Sequence, residues 1–98
     1  MSNYRHDWWP EVKTLVRDYY TGQCQDARGL EAVRLALDET SRKKTGVERK
    51  RLMALLYGKR SLTMAGAAIR IHISVETATR WHGEFIRTVA KFFQKNEK

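Results

Sequence analysis

One stretch decides the predicted fold: Leu62-Thr-Met-Ala-Gly-Ala-Ala-Ile-Arg-Ile-His-Ile-Ser-Val-Glu-Thr-Ala-Thr-Arg-Trp81. Thr63 and Ser74 can each cap a helix, because their hydroxyls accept hydrogen bonds from free amides of the first turn. The two residues leave room for a short helix, a tight turn and a second helix that begins at Val75. Small residues at Ala67 and Ala68 let two crossing helices approach closely. This pattern is typical of a helix-turn-helix, whose second helix enters the major groove of DNA.

The same residues carry a family resemblance. The segment is similar to the helix-turn-helix of sigma factor region 4 at Leu62-Thr63-Met64, Ala68, Ile71-His72-Ile73-Ser74, Glu76 and Ala78. From Lys59 through Phe85 to Val89-Ala90, the chain resembles the C-terminal part of phage transcriptional regulators of the RinA and ArpU type. The resemblance implies a sequence-specific DNA-binding regulator that activates late genes in the cytoplasm of a bacterial host cell. His72 occupies the turn, and histidine tolerates a left-handed backbone better than most side chains.

Length and charge agree with a small domain that binds a polyanion. The 98 residues, 42% of them hydrophobic, suffice for one core, so we expect a single all-α domain of about five helices. Residues 1–58 would form the N-terminal helices, and residues 59–93 the helix-turn-helix with an extended recognition helix. The net charge of +8 favours nucleic acid or an acidic membrane surface. Residues 41–60 carry eight basic and one acidic side chain, so the basic density lies just before the proposed reading unit.

Two N-terminal helices are predicted from hydrophobic spacing. The first, capped by Asp7, ends at Tyr20 before the stop Thr21-Gly22-Gln23, and its core positions are Val12, Leu15, Val16 and Tyr19. The second runs from about Leu30 to Lys44, and its core face carries Leu30, Val33 and Leu37.

The third helix is predicted to open with a capping box, Thr45-Gly-Val-Glu48, and to end at Gly58. Leu52, Leu55 and Leu56 would face the core.

The last helix should run from Val75 to about Phe93. It carries an apolar stripe longer than groove reading needs: Ala78, Trp81, Phe85, Val89 and Phe92. Either the N-terminal helices or a second copy of the chain would cover this stripe, and the second alternative predicts a homodimer.

The contact residues follow from this arrangement. The base-reading candidates are Val75, Glu76, Thr77, Thr79 and Arg80, since Arg can bond guanine, Glu can accept from cytosine and methyl groups can meet thymine. The phosphate-contacting candidates are Arg49, Lys50, Arg51, Lys59, Arg60, Thr63, Arg70 and Ser74. The cations of the third helix are expected to point mostly away from its leucines. The alternative to phosphate contact is that they only form a solvated face.

Other functions have less support. His6, His72 and His82 lack metal-ligand spacing and are expected to be exposed, and Cys24 is the only cysteine. We therefore expect no enzyme, metal or cofactor. No apolar run approaches the ~18 residues of a membrane span, and the N-terminus lacks the apolar core of a signal peptide, which predicts a cytosolic protein. The alternatives are an interaction protein that engages RNA polymerase or another regulator, and a nonspecific or RNA-binding module.

Overall fold

The computed structural model describes residues 9–23, 26–58 and 60–95, and these ranges hold five α-helices and no strand. The helices are α1 Trp9–Thr21, α2 Ala27–Ser41, α3 Gly46–Tyr57, α4 Met64–Arg70 and α5 Val75–Lys95. The all-α prediction is therefore confirmed.

All five helices contribute to one apolar core. Helix α5 packs most extensively on α2, while α1, α3 and α4 close the remaining sides. The largest fully buried side chains are Leu52, Met53, Ile86, Val16, Val33 and Val89. Burial of each such side chain stabilises the fold by about 1.5–3 kcal/mol, so this core is what holds the exposed surfaces in place.

The two N-terminal helices correct parts of the prediction. Helix α1 ends at Thr21, one residue beyond the predicted Tyr20, because Gly22 takes the left-handed backbone (φ 76°) that stops it. The predicted cap Asp7 lies outside the described residues. Helix α2 instead begins after Asp26, whose carboxylate accepts from the Arg28 amide at 3.0 Å, and it ends at Ser41 rather than Lys44.

Leu30 was wrongly assigned to the core, since it is 40% exposed. The buried face of α2 is built largely from small residues: Gly29, Ala32, Val33, Ala36 and Thr40. A Cβ on Gly29 would lie 2.5 Å from a methyl carbon of Leu15, so the two helices meet there at close range. Small residues let the backbones approach, and Leu30 is left on the flank.

The capping box predicted for α3 is wrong. Thr45 precedes the helix but makes no side-chain cap; its hydroxyl accepts instead from Nε of Arg49 at 2.8 Å. Gly58 ends α3 as predicted, where its amide donates to the Ala54 carbonyl at 2.9 Å. Leu52 is fully buried, whereas Leu55 and Leu56 are only partly buried.

The apolar stripe of α5 is covered within the chain. Ala78, Trp81, Phe85 and Val89 are buried, as predicted, and Ile86 adds a fully buried position that the spacing argument missed. Helix α2 provides most of the cover, and the terminal Phe92 and Phe93 are partly buried against the same core. The stripe therefore does not by itself require a second copy.

Candidate nucleic-acid interface

Residues 62–81, here called the α4–α5 unit, have both predicted helix caps. The Thr63 hydroxyl accepts from the Gly66 amide at 3.0 Å, and the Ser74 hydroxyl accepts from the Thr77 amide at 3.0 Å. Each bond satisfies one free donor at the start of a helix. The two caps fix where the helices begin, and hence which residues lie on the first turns of α5.

The turn between the two helices is a left-handed cap centred on His72, with φ 62°. The His72 amide donates to the Ile69 carbonyl at 3.2 Å, and the Ile73 amide donates to the Ala68 carbonyl at 3.0 Å. These two bonds form a Schellman motif, in which glycine is the usual central residue. The predicted left-handed turn is confirmed. Its use as a DNA-binding helix-turn-helix stays a prediction.

The α4–α5 unit is anchored by small and apolar side chains. Ala67, Ala68 and Ala78 are almost completely buried, and Ile71 is buried at the turn. These residues give α5 a fixed orientation relative to α4, since packed interiors deform little. The exposed side chains of α5 are therefore displayed from a rigid helix.

Three of the five predicted base-reading residues lie together, and the other two differ from them in position and exposure. Glu76, Thr79 and Arg80 are all exposed and, at three- and four-residue spacings, share one face of α5; we call these three the reading face. Val75 is 47% exposed at the start of the helix. Thr77 is half-buried, and its hydroxyl accepts from Ser74 at 2.9 Å, so its polar group is already bonded.

Arg87 is an exposed cation on the same side of α5 as Arg80, and the sequence prediction did not include it. It is exposed and lies seven residues beyond Arg80, two helical turns further along the same side of α5. The seven-residue spacing from Arg80 is the sequence feature that could have identified Arg87.

Arg49, one of the predicted phosphate contacts, is held by residues of the chain itself. Its Nη1 lies 2.6 Å from Oε1 of Glu84, its Nε bonds Thr45, and its guanidinium carbon lies 4.9 Å from the centre of the Trp81 ring. Only 17% of the side chain is exposed. These contacts tie α3 to α5 through Arg49. Its phosphate contact stays a prediction.

The other predicted phosphate contacts are not gathered on one surface. Lys50 and Arg51 are exposed, but they line a groove formed with Tyr19 of α1 and Arg34 of α2. The remaining candidates within the described ranges are exposed around the α4–α5 unit: Arg60, Thr63, Arg70 and Ser74. Lys59 lies outside the described residues. Lys50 and Arg51 thus line a groove that includes no residue of the reading face.

Glu84 is a carboxylate that lies close to several cations. Its hydrogen bond with Arg49 holds the pKa of its carboxyl below the usual range, and the positive charges of Lys43 and Arg80 act in the same direction. Glu84 therefore stays ionised and offsets part of the surrounding charge. Beside it, between α2, α3 and α5, lies a cavity of about 410 Å³.

His82 is not the exposed histidine that was expected. It is buried, and its Nε2 lies 2.6 Å from the hydroxyl of Tyr57. Burial lowers the pKa of His82 to about 4, and the positive charge of Lys13 adds to the shift. Burial also raises the pKa of Tyr57 to about 12. The phenol thus keeps its proton and can donate it to a neutral imidazole.

Metal-binding clusters and membrane-spanning helices are both absent from the described ranges. These ranges contain no group of three or more His, Cys, Asp or Glu side chains that could hold a metal ion. They also contain no helix with the length and apolar character needed to cross a membrane.

Comparison with known proteins adds no relative. No family model, curated protein or solved structure matches the chain.

Proposed function

We propose that this protein binds duplex DNA sequence-specifically, with the first turns of α5 in the major groove, and regulates transcription. The observation that carries the proposal is the reading face: Glu76, Thr79 and Arg80 are exposed together at the start of a capped, well-packed helix. Polar side chains in this position are suited to base edges, because a recognition helix contacts bases with its N-terminal residues.

Each side chain of the reading face has a chemical counterpart in the major groove. Arg80 can give two hydrogen bonds to O6 and N7 of guanine, and Glu76 can accept from the amino group of cytosine. The methyl groups of Thr79 and Val75 can meet a thymine methyl. Thr77 contributes less, because its hydroxyl is bonded to Ser74.

The exposed polar residues around the α4–α5 unit would hold the phosphate backbone. Arg60 and Arg70 bring positive charge, while Thr63 and Ser74 bring hydroxyl groups near the helix starts. Such contacts set the position of a protein on the duplex without specifying sequence. The net charge of +8 supports a partner of opposite charge.

The biological role proposed is that of a phage regulator of the RinA type, active in the cytoplasm of a bacterial host. This part depends only on the sequence resemblance of residues 59–90. The proposal predicts that expression of a reporter gene rises when the protein is produced. The reporter would be placed under a duplex sequence that the protein selects from random DNA. A fall in the reporter signal would contradict late-gene activation and leave DNA binding intact.

A homodimer on DNA is part of the proposal, because one recognition helix reads few base pairs. Sedimentation of the protein with its selected duplex should give two copies per site, with half-sites about one helical turn apart. A single copy per site would refute the dimer without affecting the assignment of α5.

A second candidate is an interaction protein that engages RNA polymerase or another regulator. It is favoured by Ile69, which is 73% exposed at the end of α4, close in sequence to the exposed Val75. Exposed aliphatic side chains can contribute to a protein contact when they form a patch. This function predicts weak DNA binding without a preferred sequence, whereas a nonspecific or RNA-binding module would bind all duplexes equally with steep salt dependence.

Mapping the bound surface by NMR tests the proposal. A mixed-sequence duplex added to ¹⁵N-labelled protein should shift the amides of residues 74–80 and of the α4 start. The start of α2, around Arg28, should be unaffected. Shifts confined to α1 and α2 would contradict the proposal.

A further inference from the structure

A cavity of about 410 Å³ lies between the end of α2, α3 and the middle of α5. Its walls carry four cations, Lys43, Arg49, Arg87 and Lys91, and one carboxylate, that of Glu84. This volume is within the range of small-ligand sites, roughly 300–1,000 Å³. The cavity, here called the basic cavity, thus has a net charge of +3 in its walls.

Two of these cations have no acidic partner among the residues that the structure describes. Arg49 is paired with Glu84, and Lys91 with Glu39 at 3.3 Å, but neither Lys43 nor Arg87 forms a salt bridge. Because Arg49 already neutralises Glu84, the carboxylate adds little repulsion toward an incoming anion. Lys43 lies in the turn between α2 and α3, and Arg87 lies on α5, so their charges come from two parts of the chain and line one cavity.

The backbone that presents Lys43 is fixed. The Lys43 amide donates to the Thr40 carbonyl at 3.0 Å, and the Lys43 carbonyl accepts from the Gly46 amide at 3.0 Å. A Cβ on Gly46 would lie 2.6 Å from the Thr40 carbonyl oxygen, so the turn is tight. Arg87 and Lys91 are four residues apart on α5, so they share one face of that helix. An anion would therefore meet cations whose backbones are already in place.

We propose that the basic cavity binds a phosphate group, with Lys43 and Arg87 as its main ligands and Lys91 at the rim. A phosphate presents several acceptor oxygens, which suits donors that arrive from different elements. The guanidinium of Arg87 can bond two of those oxygens, and the ammonium of Lys43 acts as a point charge. The phosphate can belong to the DNA backbone, which rests on the proposed function, or to a small phosphorylated molecule.

The geometry of α5 connects the basic cavity to the reading face. Arg87 follows Arg80 by seven residues, which is about 10 Å along a helix at 1.5 Å per residue. A duplex read by Arg80 would thus have backbone within reach of Arg87. The basic cavity would then fix the angle at which α5 enters the groove, since phosphate contacts position the protein.

The phosphate site is tested first without DNA. Inorganic phosphate is titrated into the ¹⁵N-labelled full chain, with chloride at matched ionic strength as the control. The amides of Thr40, Lys43 and Thr88 should shift with phosphate and not with chloride. The double variant Lys43→Gln with Arg87→Gln should lose these shifts, whereas a double variant of two exposed cations elsewhere, Lys13→Gln with Arg34→Gln, should keep them.

The source of the phosphate is decided by binding to duplex DNA over a range of salt concentrations. If the backbone occupies the basic cavity, the cavity variant should lower the salt slope by about 0.9 for each DNA phosphate that is no longer neutralised, nearly two units in all, and keep its base preference. The Lys13 and Arg34 control should keep the parent slope. An unchanged slope in the cavity variant, with the phosphate shifts present, assigns the cavity to a small phosphorylated molecule.

Failure of the two proposals can be told apart. If phosphate and chloride give the same amide shifts, the basic cavity is not a phosphate site, whatever the DNA result. If phosphate shifts the cavity amides while no duplex is bound, the DNA-binding proposal fails and the phosphate site stands.

Discussion

The buried pair of His82 and Tyr57 makes a quantitative prediction for stability against pH. His82 has a folded-state pKa of about 4, against an ordinary value of 6.5. Between these two values the unfolded chain binds a proton at this residue and the folded chain does not. The free energy of unfolding must therefore fall as the pH drops from about 6.5 to about 4.

The size of the loss follows from the two pKa values of His82. Each unit of difference corresponds to about 1.36 kcal/mol, so the full effect is about 3 kcal/mol. About 2 kcal/mol of this should already be lost at pH 5, before most carboxylates titrate. Below pH 4 this residue adds nothing further, because both states are protonated.

Urea unfolding at pH 7.5, 6 and 5 measures the effect. The parent protein should lose about 2 kcal/mol over this range, and His82→Gln should lose little of it, because glutamine does not titrate. His72→Gln is the matched control: His72 is exposed, so this variant should keep the pH dependence of the parent. An equal loss of stability in the parent and in His82→Gln would refute the assignment.

Three other predictions concern the contacts around α3. Single variants Arg49→Gln and Glu84→Gln, compared with the double variant by urea unfolding, should reveal a coupling of about 1 kcal/mol, since the pair is only partly exposed; strictly additive effects would contradict an internal tether. Gly46→Ala should destabilise the fold by about 1–3 kcal/mol, because the new methyl meets backbone atoms at the end of α2; an unchanged urea midpoint would argue against that close approach. Lys50→Gln with Arg51→Gln should leave the salt slope of duplex binding nearly unchanged, since both residues line a different groove from the reading face; a fall of one to two units, roughly one per neutralised phosphate, would place the DNA backbone there.

Local features could be predicted from the sequence. Thr63 and Ser74 were identified as caps, and His72 as a left-handed residue, because each depends on chemistry within a few positions along the chain. Gly22 and Gly58 ended their helices for the same reason. The spacing of apolar residues predicted the helices and most of the buried face of α5.

Features that depend on distant partners could not be predicted. Arg49 finds Glu84 on another helix, and His82 finds Tyr57, so neither residue type nor spacing showed that these side chains would be held inside the domain. Leu30 was misplaced because hydrophobicity alone ignores the small residues that bring α2 close to its neighbours. The basic cavity was missed because Lys43 and Arg87 are far apart in sequence and meet only in the folded chain.

Selection of bound sequences from random duplex DNA tests the central claim, that the reading face of α5 reads bases, and it should be run on the parent and on Arg80→Ala in parallel. The parent should enrich one motif. The variant should lose preference at one base pair of that motif and bind the parent's site about 1–3 kcal/mol more weakly. Lys13→Gln, an exposed change on α1, should enrich the same motif as the parent. No enrichment by the parent, or full base preference in Arg80→Ala, would contradict the claim.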